Sequence, residues 1–263
     1  MKNKYNLSDH VIMISGISGQ LGQVIVNEVL KSGAKVVGLD QSQEEMEKVA
    51  KLYDWNSNDI FFKKADIRIK EEVEEVFESG VNLFGKITSQ INNAATSVFD
   101  DWTERSEEDF DLVMDVNLKG TFFCMQIFMK HCIQTLNVGS IVNIASHYGI
   151  ISPDPKIYKD CKRRNSEIYG ASKAGMIQMT KYFAVNAIAD GAKIRVNAVA
   201  PGGIRNNSNP QGLDFQRLYS ERCPLGRLAE IHEILGPILF LLSKDASYIN
   251  GHTLVVDGGM TAW

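Results

Sequence analysis

Tyr169 and Lys173, in the run Tyr169-Gly170-Ala171-Ser172-Lys173-Ala174-Gly175, form a residue pair suited to proton transfer. Four positions apart on a helix, the two side chains share one face. An ammonium beside a phenol favours the phenolate and draws a group of ordinary pKa about 10 towards neutrality. A shift of roughly two to three units needs about 3–4 kcal/mol of differential stabilisation, within reach of a partly dry cleft. The pair therefore predicts Tyr169 as a proton donor and acceptor near neutral pH. A second Tyr-x-x-x-Lys match, Tyr158 to Lys162, stands among Pro153, Pro155, Asp160, Arg163 and Arg164 and reads as loop. Tyr169 instead opens an amphipathic run with Met176, Met179, Phe183 and Ile188 at apolar positions.

The elements that must position this pair alternate along the whole chain. Short apolar strands are predicted over 11–15, 35–39, 59–64, 88–92, 140–145, 194–199 and 253–256. Helical patterns fall between them, over 21–31, 44–52, 107–136 with a break near Gly120, and from Tyr169. The acidic stretch from Glu71 to Glu78 puts Val73, Val76 and Phe77 on one face and reads as a solvated helix. This alternation predicts one α/β domain over 1–263, a Rossmann-type doubly wound parallel sheet with helices on both faces.

Composition narrows the function. The chain has 263 residues, 44% of them apolar, enough for one large core. A net charge of −4 and a pI near 5.8 argue against nucleic acid or an anionic membrane surface as the main partner. No apolar run approaches the roughly 20 residues of a membrane span, and the expected compartment is the cytoplasm. Cys124 and Cys132 read as core and Cys161 as an exposed thiol, with no spacing for a disulfide framework or a metal site.

Ser15-Gly16-Ile17-Ser18-Gly19-Gln20-Leu21-Gly22 follows the first strand and opens the first helix. Glycines there permit a tight turn, and a helix N-terminus favours a pyrophosphate. Asp40 ends the second strand, 24 residues after Gly16. A carboxylate at that place accepts both ribose hydroxyls of an adenosine and repels a 2′-phosphate. Gln41-Ser42-Gln43 adds no cation, so NAD(H) is preferred over NADP(H). The alternative for Asp40 is a strand-end cap.

Taken together, these residues make the chain resemble the short-chain dehydrogenase/reductase family over essentially its whole length. The further matches are ordered: Asp66-Ile67, Asn92-Asn93-Ala94-Ala95, Asn117 in Val116-Asn117-Leu118-Lys119-Gly120, Ser146 after Ile141-Val142-Asn143-Ile144-Ala145, Pro201-Gly202-Gly203-Ile204, and Val256-Asp257-Gly258-Gly259. The resemblance implies a catalytic set of Asn117, Ser146, Tyr169 and Lys173. Tyr169 would exchange the proton, Lys173 lower its pKa and hold the nicotinamide ribose, Ser146 stabilise the alkoxide, and Asn117 hold a water in a proton relay. It also implies cofactor contacts at Gly16, Ser18, Gln20, Leu21, Asp40, Asp66, Ile67, Asn93, Ala94, Tyr169, Lys173, Pro201, Gly202 and Ile204. Asn117 as a helix-kink ligand and Ser146 as a strand cap are the structural alternatives.

Four departures from the family pattern stand out: Gln20 in place of a glycine, Ala95 in place of another, Asn206 after the Pro-Gly turn, and 23 residues between Ser146 and Tyr169. That last interval is longer than usual and implies an insertion over 152–167. Tyr158 would restore the interval but lies 43 residues before Pro201, too far for one helix and one strand; Tyr169 lies 32 before it. The insertion carries Lys156, Lys159, Lys162, Arg163 and Arg164, which either grip an anionic substrate group or form a solvated loop. His147 and Tyr148 are expected at the substrate with Ser146 and Tyr169, and 206–223 is expected as a polar mobile loop over it. The expected activity interconverts a hydroxyl and a ketone on a small polar, sugar-derived substrate. The insertion, Tyr148-Gly149 and the Pro201-Gly202-Gly203-Ile204 turn resemble a subgroup of surface-sugar and flagellin-modification oxidoreductases. The alternatives are a 3-oxoacyl carrier-protein reductase, an epimerase or dehydratase that retains NAD, and a non-catalytic NAD-sensing protein. Phe122, Met125, Phe128 and Met129 are expected to pair two or four copies as a homodimer or homotetramer.

Overall fold

Seven strands, most of them short apolar runs, all pair in parallel. They are β1 (Val11–Ser15), β2 (Lys35–Asp40), β3 (Ile60–Lys64), β4 (Ser89–Asn92), β5 (Val138–Ile144), β6 (Lys193–Pro201) and β7 (Thr253–Val256). Their order is β3-β2-β1-β4-β5-β6-β7. This computed structural model describes residues 5–99, 101–158, 165–206 and 211–263. The chain runs outward from β1 to β3, then returns to β4 on the other flank of β1. That reversal opens a crevice beyond the carboxyl ends of β1 and β4, the usual ligand position in a doubly wound sheet.

Helices cover both faces because the central strands are apolar on both sides. On one face α1 (Gln20–Lys31) and α8 (His232–Leu242) bury Ile25, Val26, Val29, Ile234 and Ile238 against the sheet. On the other, α3 (Lys70–Phe84), α5 (Thr121–Thr135) and α6 (Glu167–Ala189) bury Val73, Val76, Phe77, Met125, Phe128 and Ala184. The acidic helix thus turns the predicted face inward. The remaining helices are α2 (Gln43–Tyr53), α4 (Glu107–Met114) and α7 (Leu213–Arg222).

Several expectations need correction. Asp115–Gly120 forms a π-helical turn between α4 and α5 rather than a break. The run Glu107–Thr135 is long and apolar enough for a membrane span by length and composition, although half of that window is buried as in a core helix. Met125, Phe128 and Met129, expected to face a second copy, are core residues. Residues 206–223 are largely helical: α7 buries Tyr219 under its polar exterior, and only Asn207, Ser208, Asn209 and Pro210 lie outside the described residues. In the insertion, Pro155–Tyr158 is a 3-10 turn with Ile157 and Tyr158 buried. Lys159, Cys161, Lys162, Arg163 and Arg164, the expected exposed thiol and most of the expected cation grip, lie outside the described residues.

Candidate active site and cofactor cleft

The first turn is shaped by two glycines. Gly16 has φ +72°, and a Cβ there would stand 2.8 Å from Ala94 Cα. At Gly22 a Cβ would stand 1.9 Å from the Gly16 carbonyl oxygen, so only glycine lets α1 follow the turn this closely. Asn93 ties the end of β4 to the same turn: its amide nitrogen donates to the Gly16 carbonyl at 2.9 Å, and its backbone N–H donates to Ser15 Oγ at 3.2 Å. Gln20 is accommodated because its side chain leaves the turn and donates to the Arg205 carbonyl at 2.9 Å, spanning from the first turn to the segment after β6.

Asp40 is fixed by that turn. Its Oδ2 accepts from the Ser18 backbone N–H at 3.0 Å and from Ser18 Oγ at 2.6 Å. Gly16, Ser18, Gln20, Leu21, Asp40, Asp66, Ile67, Asn93 and Ala94 all line one cleft of about 620 Å³. Arg68 and Thr96, which sequence patterns did not single out, line it too. Arg68 is engaged by Asp66, with its NH2 group 2.6 Å from Oδ2, and the guanidinium holds the Asp66 carboxyl below the usual carboxylate range. The cleft therefore presents a carboxylate locked at the end of β2 beside an already neutralised cation. The hydroxyls of an adenosine ribose can donate to this carboxylate.

Ser146 follows β5 and is buried, accepting from the Tyr148 backbone N–H at 3.1 Å. Ser166 caps α6 by accepting from the Tyr169 N–H at 3.2 Å, which fixes Tyr169 in the first turn. The Ser146 hydroxyl lies close enough to the Tyr169 phenol to favour its ionised form. Lys173 is fully enclosed, its Nζ 5.6 Å from the centre of the Tyr169 ring and donating to the Ile144 carbonyl at 2.8 Å. These three residues come together as predicted, but their electrostatics differ from expectation. Burial raises the Tyr169 pKa above its ordinary value, with the Ser146 hydroxyl acting in the opposite direction. Burial also lowers Lys173 to about 7. The ammonium is aimed at a carbonyl rather than at the phenol, so dehydration outweighs direct charge stabilisation at both groups.

Asn117 sits in the π turn and is fully buried. Its amide nitrogen donates to the Thr96 carbonyl at 2.9 Å and to Ser172 Oγ at 3.0 Å, and its Oδ1 accepts from the Thr96 N–H at 2.8 Å. The side chain thus joins the segment after β4 to α6, which favours the positional alternative over a side-chain water relay. A buried chain from Asn92 to Asn143 and on to Thr180, at 2.7 and 2.9 Å, also ties α6 to β4 and β5. His147 is buried, with Nδ1 2.9 Å from the Pro201 carbonyl oxygen, and burial lowers its pKa. Gly202 and Gly203 continue that turn, their N–H groups donating to the Val256 carbonyl and the Tyr219 hydroxyl; Ile204 bridges to Ala229.

Comparison with known proteins agrees with this arrangement. A family model described as enoyl-(acyl carrier protein) reductase matches residues 16–261. The chain is 33% identical to a 3-oxoacyl-[acyl-carrier-protein] reductase of Thermotoga maritima, over 97% of this chain and 98% of the relative. It is also 33% identical to a 2-dehydro-3-deoxy-D-gluconate 5-dehydrogenase of Escherichia coli, over 98% of each. A short chain dehydrogenase from Leptospira borgpetersenii, solved with bound NAD+, superposes with a TM-score of 0.87 at 35% identity, covering 97% of this chain and 96% of that one. With its parallel sheet, its glycine turn and its Ser146–Tyr169–Lys173 cluster, the chain belongs to the short-chain dehydrogenase/reductase family of NAD(P)-dependent oxidoreductases.

Proposed function

We propose that this enzyme uses NAD(H) to interconvert a hydroxyl and a ketone on a small polar, sugar-derived substrate. The observation that carries the reading is the grouping of Ser146 and Tyr169 with the enclosed Lys173, whose Nζ is 5.6 Å from the Tyr169 ring, in a molecule whose cofactor cleft ends on Asp40. A bound nicotinamide dinucleotide would supply or accept the hydride. Gly16, Ser18, Gln20 and Leu21 would hold its pyrophosphate, Asp40 its adenosine ribose, and Asp66 with Ile67 its adenine. Asn93, Ala94, Pro201, Gly202 and Ile204 would border the nicotinamide half. Tyr169 passes the proton between its phenol oxygen and the substrate oxygen, and Ser146 donates a hydrogen bond where charge develops on that oxygen. Lys173, with a pKa of about 7, is poised to exchange a proton near neutrality and to hold the nicotinamide ribose. Asn117 keeps α6 in register for both.

A second reading, a carrier-protein reductase, is favoured by the Thermotoga maritima relative. The sugar-acid dehydrogenase relative of equal identity supports the first. We further infer assembly into a homodimer or homotetramer through the outer face of α5 and α6, where Ile133, Tyr182, Val185 and Ile188 are exposed beside a groove of about 560 Å³. The free thiols of Cys124, Cys132 and Cys223 suit a reducing compartment such as the cytoplasm. Fluorescence titration with NADH and NADPH tests the central proposal. NADH should bind at least about tenfold more tightly, and Asp40→Ala should narrow the gap. Tighter NADPH binding would promote the carrier-protein reductase, and binding of neither would end the catalytic reading.

A further inference from the structure

The insertion has no place in the cofactor cleft, yet two of its side chains are among the buried residues of a third cluster, apart from the two sheet cores. Ile157 and Tyr158 join Tyr148, Tyr219, Cys223, Leu228 and Met260, with Tyr169 and Phe215 packed against them. The phenols of Tyr148 and Tyr158 hydrogen-bond each other. The Tyr158 ring lies 5.3 Å from Phe215, and Phe215 lies 5.8 Å from Tyr219. The Tyr219 hydroxyl accepts from the Gly203 N–H at 2.7 Å. At the other end, the Tyr148 N–H donates to Ser146. An unbroken series of contacts therefore leads from Ser146 through the insertion and α7 to the turn after β6. Burial pushes the Tyr148 and Tyr219 pKa values upward, so these hydroxyls stay neutral at working pH.

We propose that Tyr148, Tyr158 and Phe215 form an aromatic belt around the substrate side of Ser146 and Tyr169, in which Tyr158 is a specificity-determining residue that admits compact polar carbonyl compounds and turns away extended acyl chains. The inference rests on the oxidoreductase reading above. Three segments distant in sequence meet through side chains at this belt, so displacing Tyr158 must disturb Tyr148 and Phe215 together. A substrate extending past Tyr158 would have to part those contacts, whereas a compact one would leave them in place. The short insertion thus acts through aromatic faces and a paired hydroxyl.

The test compares wild type, Tyr158→Phe and Tyr158→Ala in full-length protein. NADH-driven reduction of diacetyl, a compact diketone, is measured against reduction of acetoacetyl-N-acetylcysteamine, an extended thioester. Wild type should favour diacetyl in kcat/KM, and Tyr158→Ala should move the ratio at least about tenfold towards the thioester, the scale of pocket-shape discrimination. Tyr158→Phe, which keeps the ring, should move it less. A ratio unchanged within about twofold would overturn the proposal, as would a wild type that binds NADH while neither it nor any variant reduces either probe. Amide hydrogen exchange provides a readout independent of turnover. Tyr158→Ala, which removes the ring that meets Phe215, should speed exchange in 155–158 and 213–222 together while β1 is unaffected, and acceleration confined to 155–158 would break the belt. Absence of NADH and NADPH binding would refute the oxidoreductase reading itself, a failure distinct from an unchanged substrate ratio.

Discussion

Replacing Lys173 by Met removes a buried charge while keeping most of the side-chain volume, and the pH dependence of stability reports what that charge was doing. Burial lowers the Lys173 pKa from 10.5 to about 7. The unfolded chain therefore retains this proton up to pH near 10.5, while the folded chain releases it near 7. Between those values the unfolded state binds more protons, so stability rises with pH. The unfavourable contribution is complete below about pH 7 and is relieved as pH climbs towards 10.5. From pH 6 to pH 9 the relief amounts to about two pH units of a full proton, or roughly 2–3 kcal/mol. For a chain of this size that corresponds to about 5–10 °C in Tm. Met also removes the donor to the Ile144 carbonyl, at a pH-independent cost of about 0.5–1.5 kcal/mol. His10, His131 and His147 titrate in both proteins and cancel in the difference. Differential scanning calorimetry at constant ionic strength, without added nucleotide, should show the wild-type Tm gaining about 5–10 °C on Lys173→Met between pH 6 and pH 9. Parallel Tm curves would refute the argument, because they would mean that Lys173 keeps its proton in the folded state throughout that range.

Asn117→Ala strands the Thr96 N–H and carbonyl and frees Ser172, so it should cost about 2–4 kcal/mol and lower Tm by roughly 5–10 °C; a change inside about 1 °C would show that these hydrogen bonds are replaced by water. Tyr169→Phe should reduce kcat by about 10²–10⁴-fold while changing NADH affinity far less, and an equal loss of both would make Tyr169 a cofactor ligand without a proton-transfer role.

Local chemistry explains what was legible in the sequence. The turn at Gly16 and Gly22, the strand-end Asp40 and the Tyr169–Lys173 face are each specified within a few residues, so pattern alone placed them. Elements decided by distant contacts were not legible. Helix α8 carries Gly236-Pro237 in its middle, yet its apolar faces are buried against α1, β5 and β6 strongly enough to keep it helical. Helix α7 looks polar because only Phe215, Leu218 and Tyr219 meet the third cluster. The buried Asn92–Asn143–Thr180 chain joins three elements and leaves no local signature. The Lys173 pKa is of the same kind: proximity to Tyr169 follows from spacing, whereas dehydration depends on everything packed around both.

This distinction bears on how the site works. Ser146, Tyr169 and Lys173 are all partly or wholly withdrawn from water, and each is held by backbone as much as by its neighbours in the cluster: Ser146 by the Tyr148 N–H, Tyr169 by the Ser166 cap, Lys173 by the Ile144 carbonyl. Under the proposed roles, a proton shuttle held in this way would need little rearrangement as charge develops, because its members are fixed by backbone contacts. The cost is a lysine whose charge is barely tolerated at neutral pH. That same marginal charge suits the proposed chemistry, because a group with a pKa of about 7 can both give and take a proton near neutral pH.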